Sequence, residues 1–342
     1  MFVGPPRRED VHTRDGRRLL LYGASGEAVG DRAGPDSAVD ASARALIELR
    51  FDELRGEDVV YAAHRQERTF LPPAADCPLC PTRPGGSGTE IPRSAFEIAV
   101  FENRFPSFSA PQGAAEVVVY TDAHDGSFAT LAPERAEALM WVWRDRCAEL
   151  GARAYVEYVM PFENRGVEVG VTLHHPHGQI YAFPFVPPVI AAERAADARH
   201  GGCAACVLLA RELAEGRRIV HETPATVAYV PYAARWPYEL HVVLRDHRAS
   251  LLDCAAAELR DLAAALQAVT RGYDSLFQRP FPYVMCVHGD GGHVHVELYS
   301  PVRSGERLKF LAGCELGAGT FLNDTLPEST AATLRTAIGD GC

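Results

Sequence analysis

One ordered set of polar landmarks occurs twice in this chain. Cys77-x-x-Cys80 is followed by His124, 44 residues after Cys80, and by His175 another 51 residues on; Cys203-x-x-Cys206 is followed by His247 after 41 residues and His293 after another 46. A helical pattern lies between the two histidines of each set, with short β-branched and aromatic runs around it. Repetition of both order and element type restricts the fold to a duplicated α+β unit, each copy a mainly antiparallel sheet with a long helix on one face. The seam is expected near Pro187 and Pro188, which sets the halves at residues 46–188 and 189–342. Residues 1–45, polar and rich in Gly, Asp and Arg, read as an extension whose one apolar stretch, LLLYG, could add a strand.

In the first half FEIAVFEN, AEVVVYTD, AYVEYVMPFEN and GQIYAFPFV predict strands, punctuated by Gly, Pro and Asp. Pro133 fits the first turn of a helix because no N–H is needed there, and Met140, Trp143, Cys147 and Leu150 follow at helical spacing. In the second half RIVHE, ATVAYVPY, YELHVVL, YVMCVHG and HVHVELY predict strands. Leu259, Leu262, Leu266, Val269 and Tyr273 predict the matching helix, with Asp253 as its N-cap.

A formal net charge of −11 argues against a nucleic-acid partner, because affinity for the phosphate backbone comes from clustered Lys and Arg. A small phosphorylated ligand needs only a few local donors. The start, MFVGPPRREDVHTRDGRR, lacks the apolar core of a secretory signal, and no stretch is long enough to cross a bilayer, so a cytoplasmic address without a membrane partner is expected. In such a compartment the two Cys-x-x-Cys pairs point to metal binding or redox work rather than to a disulfide framework.

A Cys-x-x-Cys turn supplies two thiolates of a tetrahedral zinc site, and the repeat supplies two histidines for each: Cys77, Cys80, His124 and His175, then Cys203, Cys206, His247 and His293. The bland alternative leaves His124 and His247 as surface residues of polar loops. In VTLHHPHGQIYAFP, residues two apart on a strand share a face, so His175, His177 and Gln179 are presented together. With His175 pinned by a metal, His177 is held for work that needs fixed geometry. A neutral imidazole is a good nucleophile toward phosphorus, and the phospho-imidazole it forms is a reactive donor. Donors for the charge of such a reaction are Arg65, Arg68, Asn103, Arg104, Asn164, Thr172 and Gln179, against the plain reading of the arginines as solvated surface charge.

Over residues 45 to 325 the chain resembles the galactose-1-phosphate uridylyltransferases, a branch of the histidine-triad superfamily. ENRG followed by HPHGQI carries the resemblance most strongly; FDELRGEDVVYAAHRQER, CPLC, FENRFPSF and LKFLAGCE add to it in the expected order. It implies two histidine-triad-like halves and a ping-pong reaction. His177 would take UMP from UDP-glucose and pass it to galactose 1-phosphate, as in galactose metabolism. Gln179 and Thr172 would bind phosphate oxygens, Asn164 the region of the phosphorus, Arg65 and Arg68 the distal phosphate, Asn103 the uridine, and Lys309 with Glu315 the hexose. A homodimer with shared active sites is also implied.

Some members carry iron on one Glu and three His, for which Glu193, His288, His293 and His295 are candidates; the repeat instead predicts zinc at the second Cys-x-x-Cys using His293. Arg104 stands where an acidic residue often follows the Asn, and CELGAGTFLND departs from the usual sugar-contacting segment. Two rival functions remain open on the sequence. One is a related adenylyl transferase of the ADP-sugar phosphorylase type, and the other a non-catalytic zinc-binding module in which HPH only supplies ligands.

Overall fold

The computed structural model describes residues 4–29, 47–67, 70–86 and 88–340; Arg68 lies outside them. The chain forms two compact units: residues 1–127, 141–161 and 172–191, and residues 128–140, 162–171 and 192–342. The units change over at residue 191, a few residues past the expected seam, and segments 128–140 and 162–171 group with the second unit.

The first unit is built on strands β1 (Arg8–His12), β2 (Arg18–Ser25), β5 (Phe96–Glu102), β6 (Ala114–Val119) and β8 (His177–Phe183). They form antiparallel ladders in the order β1, β2, β5, β6, β8, with β7 (Tyr158–Arg165) next. A separate hairpin pairs β3 (Ile47–Asp52) with β4 (Glu57–Ala62). The apolar stretch LLLYG is a full member of the sheet: Leu19, Leu20 and Leu21 are at most 2% exposed. Burying each contributes about 2 kcal/mol. Leu19 and Leu21 share a core cluster with Cys77, Leu79, Phe101, Val117 and Val119, so the segment expected as an extension helps build the floor under the Cys-x-x-Cys turn.

The helix expected after Pro133 is α1 (Pro133–Gly151). Its Arg146 is wholly buried and makes a fork to Glu116 on β6, Nε to Oε2 at 2.9 Å and Nη2 to Oε1 at 2.9 Å. A paired buried guanidinium adds directional constraint where apolar packing alone would allow sliding.

The second unit repeats the plan with the ladder order β7, β12 (Tyr283–His288), β13 (His295–Tyr299), β11 (Leu240–Leu244), β10 (Thr226–Tyr229), β9 (Ile219–Glu222). After α2 (Pro188–His200) and α3 (Ala204–Glu215) comes the long helix α4 (Ala256–Leu276), whose Leu259, Leu262, Leu266, Val269 and Tyr273 are at most 1% exposed, as their spacing predicts. Asp253 is not its N-cap. The chain makes an extra 3-10 turn over Leu251–Asp253, and the Asp253 carboxylate accepts from Ser250 N at 3.0 Å. The helix proper starts after Ala255, whose N–H is taken by Glu258 Oε2 at 2.7 Å. In the run ENRG, Gly166 has φ +96°, and a Cβ there would stand 2.6 Å from Pro282 Cβ, so only glycine fits. Short helices α5 (Gly313–Ala318) and α6 (Pro327–Asp340) complete the unit. Among the described residues no helix is long and apolar enough to cross a membrane.

Candidate active site and metal centres

The first-half landmarks converge. Cys80 Sγ lies 3.4 Å from His124 Nδ1 and 3.5 Å from His175 Nδ1, and Cys77 Sγ lies 3.8 Å from His175 Nδ1. Sulfur and nitrogen atoms on a tetrahedral zinc ion stand about 3.6 Å apart, so the spacing fits that ion without rearrangement. The tautomer fits as well: His175 Nε2 donates to Thr121 O at 2.7 Å, which leaves the Nδ1 lone pair facing the thiols. Burial pushes the His175 pKa down to about 4, so the ring is neutral and ready to ligate. Burial and the neighbouring Cys77 push the Cys80 thiol up to about 12, so a bound cation is what would make that sulfur anionic at neutral pH.

The second set repeats this arrangement. Cys203 Sγ and Cys206 Sγ lie 3.7 and 3.2 Å from His293 Nδ1, and Cys206 Sγ lies 3.5 Å from His247 Nδ1. His293 Nε2 donates to Leu244 O at 2.8 Å, and its pKa is lowered by burial to about 4. Because His293 turns its free nitrogen to the sulfurs, the alternative set of Glu193, His288, His293 and His295 does not assemble. A third group forms instead, in which Glu297 takes the fourth place beside Glu193, His288 and His295. This carboxylate and imidazole set suits a harder cation than the thiolate sites.

His177 opens β8 and lines a cavity in the first unit together with Arg65, Asn103, Thr172 and Gln179. Register explains the company: on β6, Val119 sits opposite His177 and Val117 opposite Gln179, and on β5, Phe101 sits opposite Val117. Alternation along β8 sends Gly178, Ile180 and Ala182 into the core and leaves His177 and Gln179 on the cavity face. His177 Nδ1 donates to His175 O at 2.7 Å, which fixes the ring and keeps the Nε2 lone pair free. Burial lowers the His177 pKa, against the pull of that carbonyl, so the ring is neutral at physiological pH. Gln179 Oε1 accepts from Asn103 Nδ2 at 3.4 Å, and Arg65 Nη1 donates to Phe105 O at 2.8 Å.

In the second unit His295 occupies the place of His177, with the same bond from Nδ1 to His293 O at 2.7 Å. There Glu297 stands where Gln179 does. Burial disfavours the protonated ring, but Glu297 and Glu193 outweigh it and raise the His295 pKa. The geometry is duplicated while the chemistry is not: one imidazole is held neutral and the other is held among carboxylates.

Asn164 lies on β7 in the second unit opposite Val284, and Lys309 and Glu315 form an ion pair there at 3.1 Å. None of the three lines the His177 cavity. Sequence reasoning missed the apolar walls Leu79, Phe101 and Val117, and it missed Glu90, which sits in a loop with no periodic signal.

A duplicated antiparallel α+β architecture, with a histidine whose Nε2 is free in a polar cavity two residues from a Cys2His2 group, points to a nucleotidyltransferase. Residues 108–187 match the family model for the N-terminal domain of galactose-1-phosphate uridyl transferase, and residues 195–340 match the C-terminal one. A galactose-1-phosphate uridylyltransferase of Thermotoga maritima is 36% identical over 320 residues, covering 85% of this chain and 98% of the relative. One from Streptomyces lividans is 38% identical over 295 residues, covering 82% and 80%. A solved uridylyltransferase superposes with a TM-score of 0.74 at 30% identity, covering 86% of this chain and 99% of that one. The chain belongs to the galactose-1-phosphate uridylyltransferase family.

Proposed function

We propose that this chain moves UMP from UDP-glucose to galactose 1-phosphate through a uridylyl group carried on His177. The observation that carries this reading is the state of one ring: Nδ1 is committed to His175 O, and Nε2 is free in a cavity lined by polar donors. Nε2 attacks the α-phosphorus, the bond to the bridging oxygen breaks, and glucose 1-phosphate leaves with the electron pair. A phosphate oxygen of galactose 1-phosphate then attacks the same phosphorus, the N–P bond breaks, and UDP-galactose leaves a neutral imidazole behind.

Gln179 supports the transfer with its amide NH2, since its carbonyl is engaged by Asn103, and Thr172 offers a hydroxyl to the same phosphate. Arg65, with Arg68, steadies the distal phosphate. Asn103 serves the uridine and Asn164 the region of the phosphorus. Lys309 and Glu315, one cation and one carboxylate 3.1 Å apart, suit the phosphate and hydroxyls of a hexose phosphate. The two halves, 46–188 and 189–342, descend on this reading from one duplicated unit of which only the first kept the nucleophile.

Zinc is the metal the two Cys2His2 sets favour, and it supplies structural coordination only. Iron, if used, belongs to the group containing Glu193 and His288. A homodimer is supported by exposed apolar residues around the Lys309–Glu315 pair, where Phe310, Leu316 and Leu322 are 78, 65 and 58% exposed. A reducing compartment, hence the cytoplasm, is supported by eight cysteines that are all free among the described residues.

Incubation with UDP-glucose followed by peptide mass spectrometry is expected to place one uridylyl group on the peptide holding His177, and galactose 1-phosphate is expected to remove it. Under native conditions the same preparation should run at twice 37.2 kDa. Labelling from ADP-glucose but not UDP-glucose would replace this reading by the adenylyl one.

A further inference from the structure

We propose that Glu90 is the ribose-binding acceptor of the His177 cavity, taking the 2′ and 3′ hydroxyls of the nucleotide. The inference rests on the nucleotide reading of that cavity but is indifferent to the base. A nucleotide presents anionic phosphates, which need donors, and a ribose diol, which needs acceptors. Donors are plentiful beside His177. Acceptors are scarce: Asn103 Oδ1 is taken by Phe105 N at 2.8 Å, Gln179 Oε1 by Asn103 at 3.4 Å, and Thr172 O by Leu71 N at 2.8 Å. Glu90 is the one carboxylate among the described residues lining the cavity.

That carboxylate is held in place. Glu90 N donates to Pro78 O at 3.0 Å, which ties its backbone to the Cys77–Cys80 turn. Its Oε2 accepts from Arg17 Nη2. Arg17 is itself buried, with a side chain 2% exposed, and is fixed by Asp15 Oδ2 at 2.8 Å and by Glu102 O at 2.5 Å. On the other side Arg104 Nη1 stands 3.9 Å from Oε1, close enough to offset charge and too far for a hydrogen bond. Oε1 therefore keeps its acceptor capacity.

Two arginines explain why a carboxylate can sit in a site for an anion, since an unpaired one would repel the phosphates. A carboxylate with one oxygen braced and one free matches a vicinal diol, the same chemistry by which acidic residues bind ribose in dinucleotide folds. The arrangement also gives the N-terminal segment a task. Arg17 lies in the turn between β1 and β2 and sets the orientation of the acid that reads the sugar.

Calorimetric titration of the full-length, metal-loaded protein with UDP and with 2′-deoxy-UDP tests this without requiring turnover. Wild type is expected to bind UDP about tenfold more tightly, the effect of one hydrogen bond to a charged acceptor. In Glu90→Gln the preference should shrink to within about twofold, while KM for UDP-glucose rises about tenfold at unchanged kcat. Equal affinities in wild type overturn the proposal, and this arm needs no variant to fold. A preference that survives in Glu90→Gln, or a loss of affinity that is equal for both nucleotides, also overturns it and leaves Glu90 as a brace for Arg17. A protein that distinguishes UDP from 2′-deoxy-UDP yet never labels His177 would refute the transfer reading and leave this one standing.

Discussion

His177→Gly loses turnover by about four orders of magnitude or more, keeps its metal, and melts close to wild type. The size follows from removing the atom that forms the covalent intermediate, which no neighbour can replace. Retention of metal follows from the division of labour between the two rings: His175 directs Nδ1 to the thiols and Nε2 to Thr121 O, and nothing in that shell comes from the side chain of His177. What His177 gives up is one hydrogen bond to His175 O, a loss of about 1 kcal/mol. The measurements are steady-state transfer from UDP-glucose to galactose 1-phosphate, metal content per chain, and thermal unfolding. If metal is lost in proportion to activity, His177 is a ligand, and the binding-module view takes over.

Much of the geometry of the Cys2His2 groups and of His177 was legible because it depends on short-range rules. A period of two along β8 puts His177 and Gln179 on one face whatever the rest of the chain does. The repeat of Cys, Cys, His, His needed no knowledge of the path between the ligands, since the same fold closes both loops. Residues whose role depends on distant partners were out of reach. Glu90 is one carboxylate in a Gly-rich loop until β1, β2 and β5 bring Arg17 and Arg104 to it. Glu297 falls likewise on an ordinary strand, HVELY, and acquires meaning only when His241 comes within 3.2 Å of it. The first 45 residues read as an extension because polarity dominates their composition, yet their one apolar stretch, Leu19–Leu21, lies in the core. Asp253 failed as a cap for a local reason: Ser250 offered it a turn one step earlier, and Glu258 was left to close the helix.

Cys77→Ser combined with Cys80→Ser should cost more activity than Cys203→Ser with Cys206→Ser, although each pair removes one metal equivalent. Both lose a structural site, which in small zinc domains is worth about 10 kcal/mol or more of binding free energy, so both variants melt lower. The difference lies in what each set supports. In the first unit the backbone carbonyl of His175 fixes His177, and the Cys77–Cys80 turn also anchors Glu90 through Pro78 O. In the second unit the same device orients His295, which sits among carboxylates. kcat per folded molecule should therefore fall by about a hundredfold or more for the first pair, the scale of lost metal support, and by much less for the second. Acid should mimic both pairs of substitutions. Burial and a neighbouring thiol hold Cys80 up to about 12 and Cys206 up to about 11, so metal binding at either site must expel a proton, and affinity falls as pH falls. Equal kcat losses from the two pairs, measured on refolded and metal-assayed protein, would show that the nucleophile's position does not depend on the shell of His175.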